Sequence, residues 1–176
     1  MSSTTIERVE TPRTVLVRMR MDDLPDMLRL LQDPRVAESL WPEIGVPTEQ
    51  DVINGTAAKE RHWERFGFGL WVQRDKETGE MVGRGGLQWT YVGGREEVEV
   101  AWAVVPERWG QGFGRELAEA SIETAFGPLH LDEIVAFTLP RNRASRRVME
   151  KTGFRYEKDI VHANLPHVLY RRRRGR

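Results

Sequence analysis

The 176-residue chain contains no cysteine. That absence excludes a disulfide frame, a thiolate metal site and any route through an acyl-cysteine intermediate. Net charge is missing too, because 27 basic residues balance 27 acidic ones. The whole-chain attraction that draws proteins to nucleic acid or anionic lipid is therefore lacking, and a polyanion contact would have to be local. No apolar run approaches the roughly 20 residues that a membrane-spanning helix needs. Met1 to Glu10 is polar and lacks the apolar centre of a signal peptide. The four histidines, His62, His130, His162 and His167, are scattered without metal-ligand spacing, which predicts no metal. A cytoplasmic protein with neither membrane nor nucleic acid as partner is the expectation.

What is present reads as one compact domain, since a chain of this length with 39% apolar residues can bury most of its apolar surface. The expected organisation is a flexible leader over 1–12, a domain over 13–171 and an arginine-rich tail over 172–176. Thr14 to Arg18 reads as a first strand. Leu24, Met27, Leu28 and Leu31 follow helical spacing, and Pro34 is expected to close that helix. Thr48 and Asp51 supply a cap and an acidic first turn for a second helix that ends before Gly67. Stretches 68–74, 81–91 and 96–104 alternate with turns at Gly79 and at Gly93-Gly94, which predicts an antiparallel meander. A helix over 113–126, a strand over 133–139, a helix from Asn142 to about Thr152 and two short strands complete the chain.

The segment Val104-Val-Pro-Glu-Arg-Trp-Gly-Gln-Gly-Phe-Gly114 is a strand and a glycine-rich turn opening directly onto a helix. Backbone amides approach a phosphate most closely where no Cβ intervenes, and a helix N-terminus carries roughly half a positive charge. Gly110, Gly112 and Gly114 suit that purpose, although glycines before a helix also occur as plain turns. The spacing matches neither the dinucleotide fingerprint nor the nucleoside-triphosphate loop.

Taken together, Glu99-Val-Ala-Trp-Ala-Val-Val-Pro106 and Trp109-Gly-Gln-Gly-Phe-Gly114 resemble the acetyl-CoA motif of the GNAT N-acetyltransferases, in particular the RimJ/RimL-like branch. Asn142-Arg-Ala-Ser-Arg-Arg-Val-Met-Glu-Lys-Thr-Gly-Phe154 is similar to the downstream segment of that branch. The likeness extends upstream through Phe68 to Trp71 and Thr78 to Gly83. Trp109 departs from the arginine or glutamine that often opens the loop in this superfamily. The resemblance implies an α/β (α+β) fold with one mixed, mostly antiparallel sheet, whose strands around 99–104 and 133–139 are parallel and splay apart. It implies acetyl-CoA as cosubstrate, a primary amine as acceptor and direct attack in a ternary complex.

Residue roles follow from the same resemblance. Glu99 would be the general base, against its reading as a solvated carboxylate like Glu96 and Glu97. Ser145 would be the general acid, against its reading as an ordinary first-turn residue, because no tyrosine lies on its helix. The cosubstrate would meet Val104, whose backbone polarises the carbonyl, and Val105, Trp109, Gly110, Gln111, Gly112, Phe113 and Gly114. Asn142 serves both as helix cap and as partner of the pantetheine arm, and Arg115 and Arg147 are candidate phosphate partners. Trp41 would touch the acceptor, and the other tryptophans read as core or groove-lining residues. Arg171 to Arg174 reads as a solvated tail. Dimers are common in this superfamily, and no segment marks an interface. A rival reading with the same fold is an acyl-CoA-binding sensor without turnover.

Overall fold

The computed structural model describes residues 6–176. Eight strands form one sheet in the order β1-β2-β3-β4-β5-β6-β8-β7. They span Arg8–Glu10, Thr14–Arg18, Leu70–Asp75, Met81–Val92, Arg95–Val104, Glu133–Thr138, Arg155–His162 and Leu165–Arg173. The helices are α1 (Leu24–Leu31), α2 (Pro34–Leu40), α3 (Glu49–Phe66), α4 (Phe113–Phe126) and α5 (Arg143–Lys151). Every neighbouring pair is antiparallel except β5 and β6. That parallel pair meets in register only at Glu99 and Val135, so the strands separate beyond that point. Parallel neighbours need a crossover, and α4 supplies it. No described helix is long and apolar enough to cross a membrane.

The sheet has helices on both faces. Leu117, Ala118, Ile122 and Ala125 of α4 are buried with Val98, Val100, Ile134 and Tyr170 in one apolar cluster. Met27, Leu30, Val36 and Val52 of α1, α2 and α3 pack with Leu70, Val72 and Ala103 in another. β4 is glycine-rich where α4 crosses it. A Cβ on Gly85 would lie 2.7 Å from Leu117 Cδ2 and 2.2 Å from the carbonyl oxygen of Ala101. Strand alternation therefore turns Gly83 and Gly85 toward α4 and Arg84 toward the opposite face.

Four expectations need correction. Pro34 opens α2 rather than closing the preceding helix, because Asp33 accepts from the Arg35 amide as a cap and proline suits a first helical position. Three helices therefore precede the meander, not two. Part of the predicted leader is ordered: Arg8–Glu10 pairs with β2, Ile6 is buried, and its carbonyl accepts from the Trp71 indole at 2.9 Å. Residues 1–5 of that leader lie outside the described residues. The arginine run at 171–174 is mostly strand, since β8 continues to Arg173. Arg171 is buried and paired with Glu97, Glu133 and Glu157, Arg172 donates to the Thr152 carbonyl, and Arg173 and Arg174 pair with Glu133 and Asp132. Three carboxylates converging on one guanidinium satisfy a charge that burial would otherwise leave costly.

Candidate active site

The loop from Trp109 into α4 is shaped by backbone conformation. Gly110 and Gly112 have φ of +74° and +85°, a region costly for residues with a side chain. Gly114 lies over Trp102, where a Cβ would stand 3.2 Å from the indole. Glu116 is the first residue of this stretch whose amide meets an internal acceptor, the Gly112 carbonyl. The amides of 110–115 thus converge on the positive end of a 14-residue helix. Phe113 is buried beneath them. Arg115 is exposed and paired with Glu119 at 2.8 Å, and Arg147 is exposed on α5.

A clamp from the β1–β2 turn holds this loop. Glu116 accepts from the Thr11 hydroxyl at 2.6 Å, the Arg13 amide at 2.7 Å and the Arg13 Nε at 2.8 Å. Arg13 Nη1 donates to the Gln111 carbonyl at 2.9 Å. The guanidiniums of Arg13 and Arg108 cover the Phe113 ring at 4.1 and 4.6 Å. Burial opposes ionisation of Glu116, but these hydrogen bonds outweigh it and hold the carboxyl below its ordinary range.

Val105 donates its amide to the Val82 carbonyl. Alternation along β5 then turns the amides of Trp102 and Val104 away from β4, toward the gap that opens beside β6. The Trp109 indole donates to the Val104 carbonyl at 2.8 Å, so the tryptophan that departs from the family pattern steadies the strand end. Val105 itself is turned inward, with its side chain in the core and its amide engaged, so the expected contact with the cosubstrate is not available to those groups.

Glu99, Ser145, Asn142 and Trp41 all line one cavity of about 640 Å³, bounded by the α1–α3 face, β4, β5, the end of β6 and the β7–β8 turn. Glu99 is 8% exposed, unlike Glu96. Its Oε1 accepts from Gln88 Nε2 at 2.6 Å, and its Oε2 is buried without a partner. Burial raises its pKa, and Gln88, Lys59 and Arg84 counteract part of that effect. Asn142 caps α5 by accepting from the Ser145 amide at 3.1 Å, which leaves its side-chain NH₂ free of that duty. Ser145 is half-buried at the same helix start.

Sequence reasoning missed the residues around Glu99. Lys59 Nζ donates to Gln88 Oε1 at 2.5 Å, which makes a chain from amine through amide to carboxylate. Burial, with Arg84 nearby, lowers the pKa of Lys59. Val52, Thr56 and Trp63 are the buried positions of α3, and Lys59 falls on the same stripe. A lysine at an apolar-stripe position was the available signal. Gln88 stands opposite Glu99 in the β4–β5 register, which a sequence shows only once the pairing is known. His62 is held in one tautomer, with Nδ1 donating to the Phe68 carbonyl and Nε2 accepting from the Trp89 amide, and burial lowers its pKa.

Two surface ion pairs anchor α2 beside the gap between β5 and β6. Arg35 reaches Glu107 after β5 at 2.8 Å, and Glu38 meets Arg141 after β6 at 2.7 Å.

Comparison with known proteins agrees with this geometry. Residues 13–155 match the family model described as "Acetyltransferase (GNAT) domain". The uncharacterized protein YkkB of Bacillus subtilis is 32% identical over 114 residues, a match covering 65% of this chain and 66% of that protein, about two thirds of its length. The uncharacterized N-acetyltransferase YoaA of the same organism is 24% identical over 149 residues, covering 85% and 83%. A solved structure of a GnaT-family acetyltransferase from Bordetella pertussis superposes with a TM-score of 0.81 at 25% identity, over 94% of this chain and 98% of the other. The fold extends to RimL, a ribosomal-protein acetyltransferase solved with coenzyme A, at a TM-score of 0.77 and 16% identity over 95% and 98%. With the family match spanning most of the sequence and the split parallel pair in place, the chain belongs to the GNAT family of acetyl-CoA-dependent N-acetyltransferases.

Proposed function

We propose that the chain transfers an acetyl group from acetyl-CoA to a primary amine by direct attack within a ternary complex. The observation that carries this reading is Glu99, a buried carboxylate with an unpartnered oxygen, in one cavity with Ser145 at the point where β5 and β6 part.

The residues present suit the acetyl donor. Glycines at 110 and 112 open the backbone, Gly114 leaves no room for a Cβ above Trp102, and the amides of 110–115 face a phosphate-sized anion in the manner of helix N-termini. Gln111 and Phe113 shape that turn. The pantetheine arm would follow the gap between β5 and β6, where the Val104 amide faces the thioester carbonyl and the Asn142 NH₂ meets the arm. Arg115 and Arg147 would lie near the nucleotide phosphates.

At the reacting end, Glu99 Oε2 takes a proton from the amine, directly or through one water. Burial raises the pKa of Glu99 and so makes its carboxylate a stronger base. The amine nitrogen bonds to the thioester carbon, and the Val104 amide receives the charge that develops on oxygen. As the carbon–sulfur bond breaks, the Ser145 hydroxyl protonates the departing thiolate, and the proton that Glu99 took from the amine is returned to Ser145 through solvent, which restores both groups. Trp41 would line the acceptor side, since it borders the same cavity. Likeness to the RimJ/RimL branch supports a protein N-terminus or a small amine as acceptor.

The test is calorimetric titration with acetyl-CoA beside Gly112→Asp, which adds a Cβ at φ +85° and a negative charge. Strain of about 1–2 kcal/mol together with repulsion should weaken binding at least about 10-fold. An amine panel with thiol detection then follows. Equal affinity in both proteins would overturn the assignment of the loop, and binding without turnover of any amine would favour the sensor reading.

A further inference from the structure

The cavity holds two cationic side chains that the acetyl-transfer reading does not use. Arg84, Gln88 and Thr90 occupy one face of β4, and all three line the cavity. Arg84 stands opposite Ala103, and Gln88 stands opposite Glu99. Between those pairs on β5 lies Ala101, which lines the cavity with only a methyl group. Arg84 and Glu99 thus sit four register positions apart on neighbouring strands and border the same cavity, close enough for the Arg84 charge to act on Glu99.

The guanidinium of Arg84 makes no ion pair and no hydrogen bond to a side chain or carbonyl among the described residues. Arg84 is half-buried in the cavity wall, whereas the fully buried Arg171 meets three carboxylates. Lys59 uses one of its three donors on Gln88. Two carboxylates border the cavity. Asp51 is tied into the α3 cap by the Thr48 amide and hydroxyl, and Glu99 holds Gln88. A cationic group enclosed in a cavity wall without a partner is costly unless an anion meets it.

We propose that the acceptor is a small amine bearing a carboxylate, the chemistry of a free amino acid, with its carboxylate on Arg84 and a free Lys59 donor and its amine at Glu99. This rests on the acetyltransferase reading above and narrows its acceptor. A planar guanidinium fork matches a carboxylate in two hydrogen bonds, which orients the amine as well as binding the molecule. The cavity of about 640 Å³ suits a small molecule rather than a folded surface.

The experiment measures kcat/KM with free amino acids, each beside its carboxamide and its decarboxylated amine, and with phosphoethanolamine as a phosphate-bearing amine. Amino acids should exceed their carboxamides, and Arg84→Gln should lower the ratio between the two roughly 10- to 100-fold through KM. Arg84→Lys should retain part of the preference. If Arg84 served only as a counter-charge for Glu99, the variant would shift the pH profile of every acceptor alike and leave the ratio in place, which overturns the proposal. Preference for carboxamides, decarboxylated amines or phosphoethanolamine also overturns it, and so does failure of every amino acid to react. Transfer to an uncharged amine in those cases would leave the acetyltransferase reading standing, whereas absent acetyl-CoA binding would remove both. Should Arg84→Gln fail to fold, the wild-type preference alone decides.

Discussion

The two ends of the site are built differently. The loop at 109–115 presents backbone amides, and its glycines keep side chains out of the way. The cavity around Glu99 presents side chains from α3, β4, β5 and α5, brought together across the fold. A backbone site depends on local conformation and so tolerates varied side chains around it. A side-chain site depends on register and helix facing, so one substitution alters charge, geometry and proton affinity together.

Several measurements would break or sharpen that contrast. The largest effect is expected from Glu99→Gln, which should lower kcat roughly 10²- to 10⁴-fold while acetyl-CoA affinity stays near the wild-type value. Wild-type kcat/KM should rise with pH through the elevated pKa of Glu99, and that limb should vanish in the variant. An unchanged pH–rate profile would remove Glu99 from the role of base.

Gln88→Leu comes next, with roughly a 10-fold loss expected from cutting a charge-assisted hydrogen bond. Gln88 holds the pKa of Glu99 down, so the ascending limb should move to higher pH in this variant. A shift to lower pH would contradict the hydrogen-bond chain.

Glu116→Ala acts on the other region. It removes the acceptor of Thr11 and Arg13 and should cost about 1–3 kcal/mol, seen as a lower Tm together with weaker acetyl-CoA binding. Because its carboxyl titrates below the ordinary value when folded, this contribution is present above about pH 4.5 and fades as pH falls through the folded value. Loss of stability with intact binding would separate the clamp from the loop.

His62 gives a smaller, pH-dependent effect. Its pKa is lowered in the folded state, so the unfolded chain binds the extra proton first and stability should decline as pH drops below about 6.5. The decline should be absent in His62→Gln, as followed by denaturant unfolding at pH 7.5 and 5.5. Glu38→Ala should change least, by less than about 1 kcal/mol, since both partners of its ion pair are mostly exposed.

Much of the fold was legible because its cues are local. The apolar face of 113–126, the cap at Thr48 and the glycine turns mark elements that lie where periodicity and capping place them. Pro34 was misread because proline both ends one helix and begins the next, and only the Asp33 cap decides between them. The strand at 8–10 was missed because three residues carry no period, and its order comes from pairing with β2 and from the bond between Trp71 and the Ile6 carbonyl. The run of arginines looked solvated because its partners, Glu97, Glu133 and Glu157, lie far away along the chain.

By itself the sequence determined the glycine loop before α4, Glu99 on its strand and Asn142 and Ser145 at a helix start, since each depends on neighbours a few residues away. Only the tertiary structure decided that Lys59, Arg84 and Gln88 surround Glu99, and that Val105 turns inward while Val104 faces the gap. The physical reason is pairing register. Strand neighbours 11 residues apart, and a helix 29 residues before its hydrogen-bond partner, become adjacent only when the sheet closes.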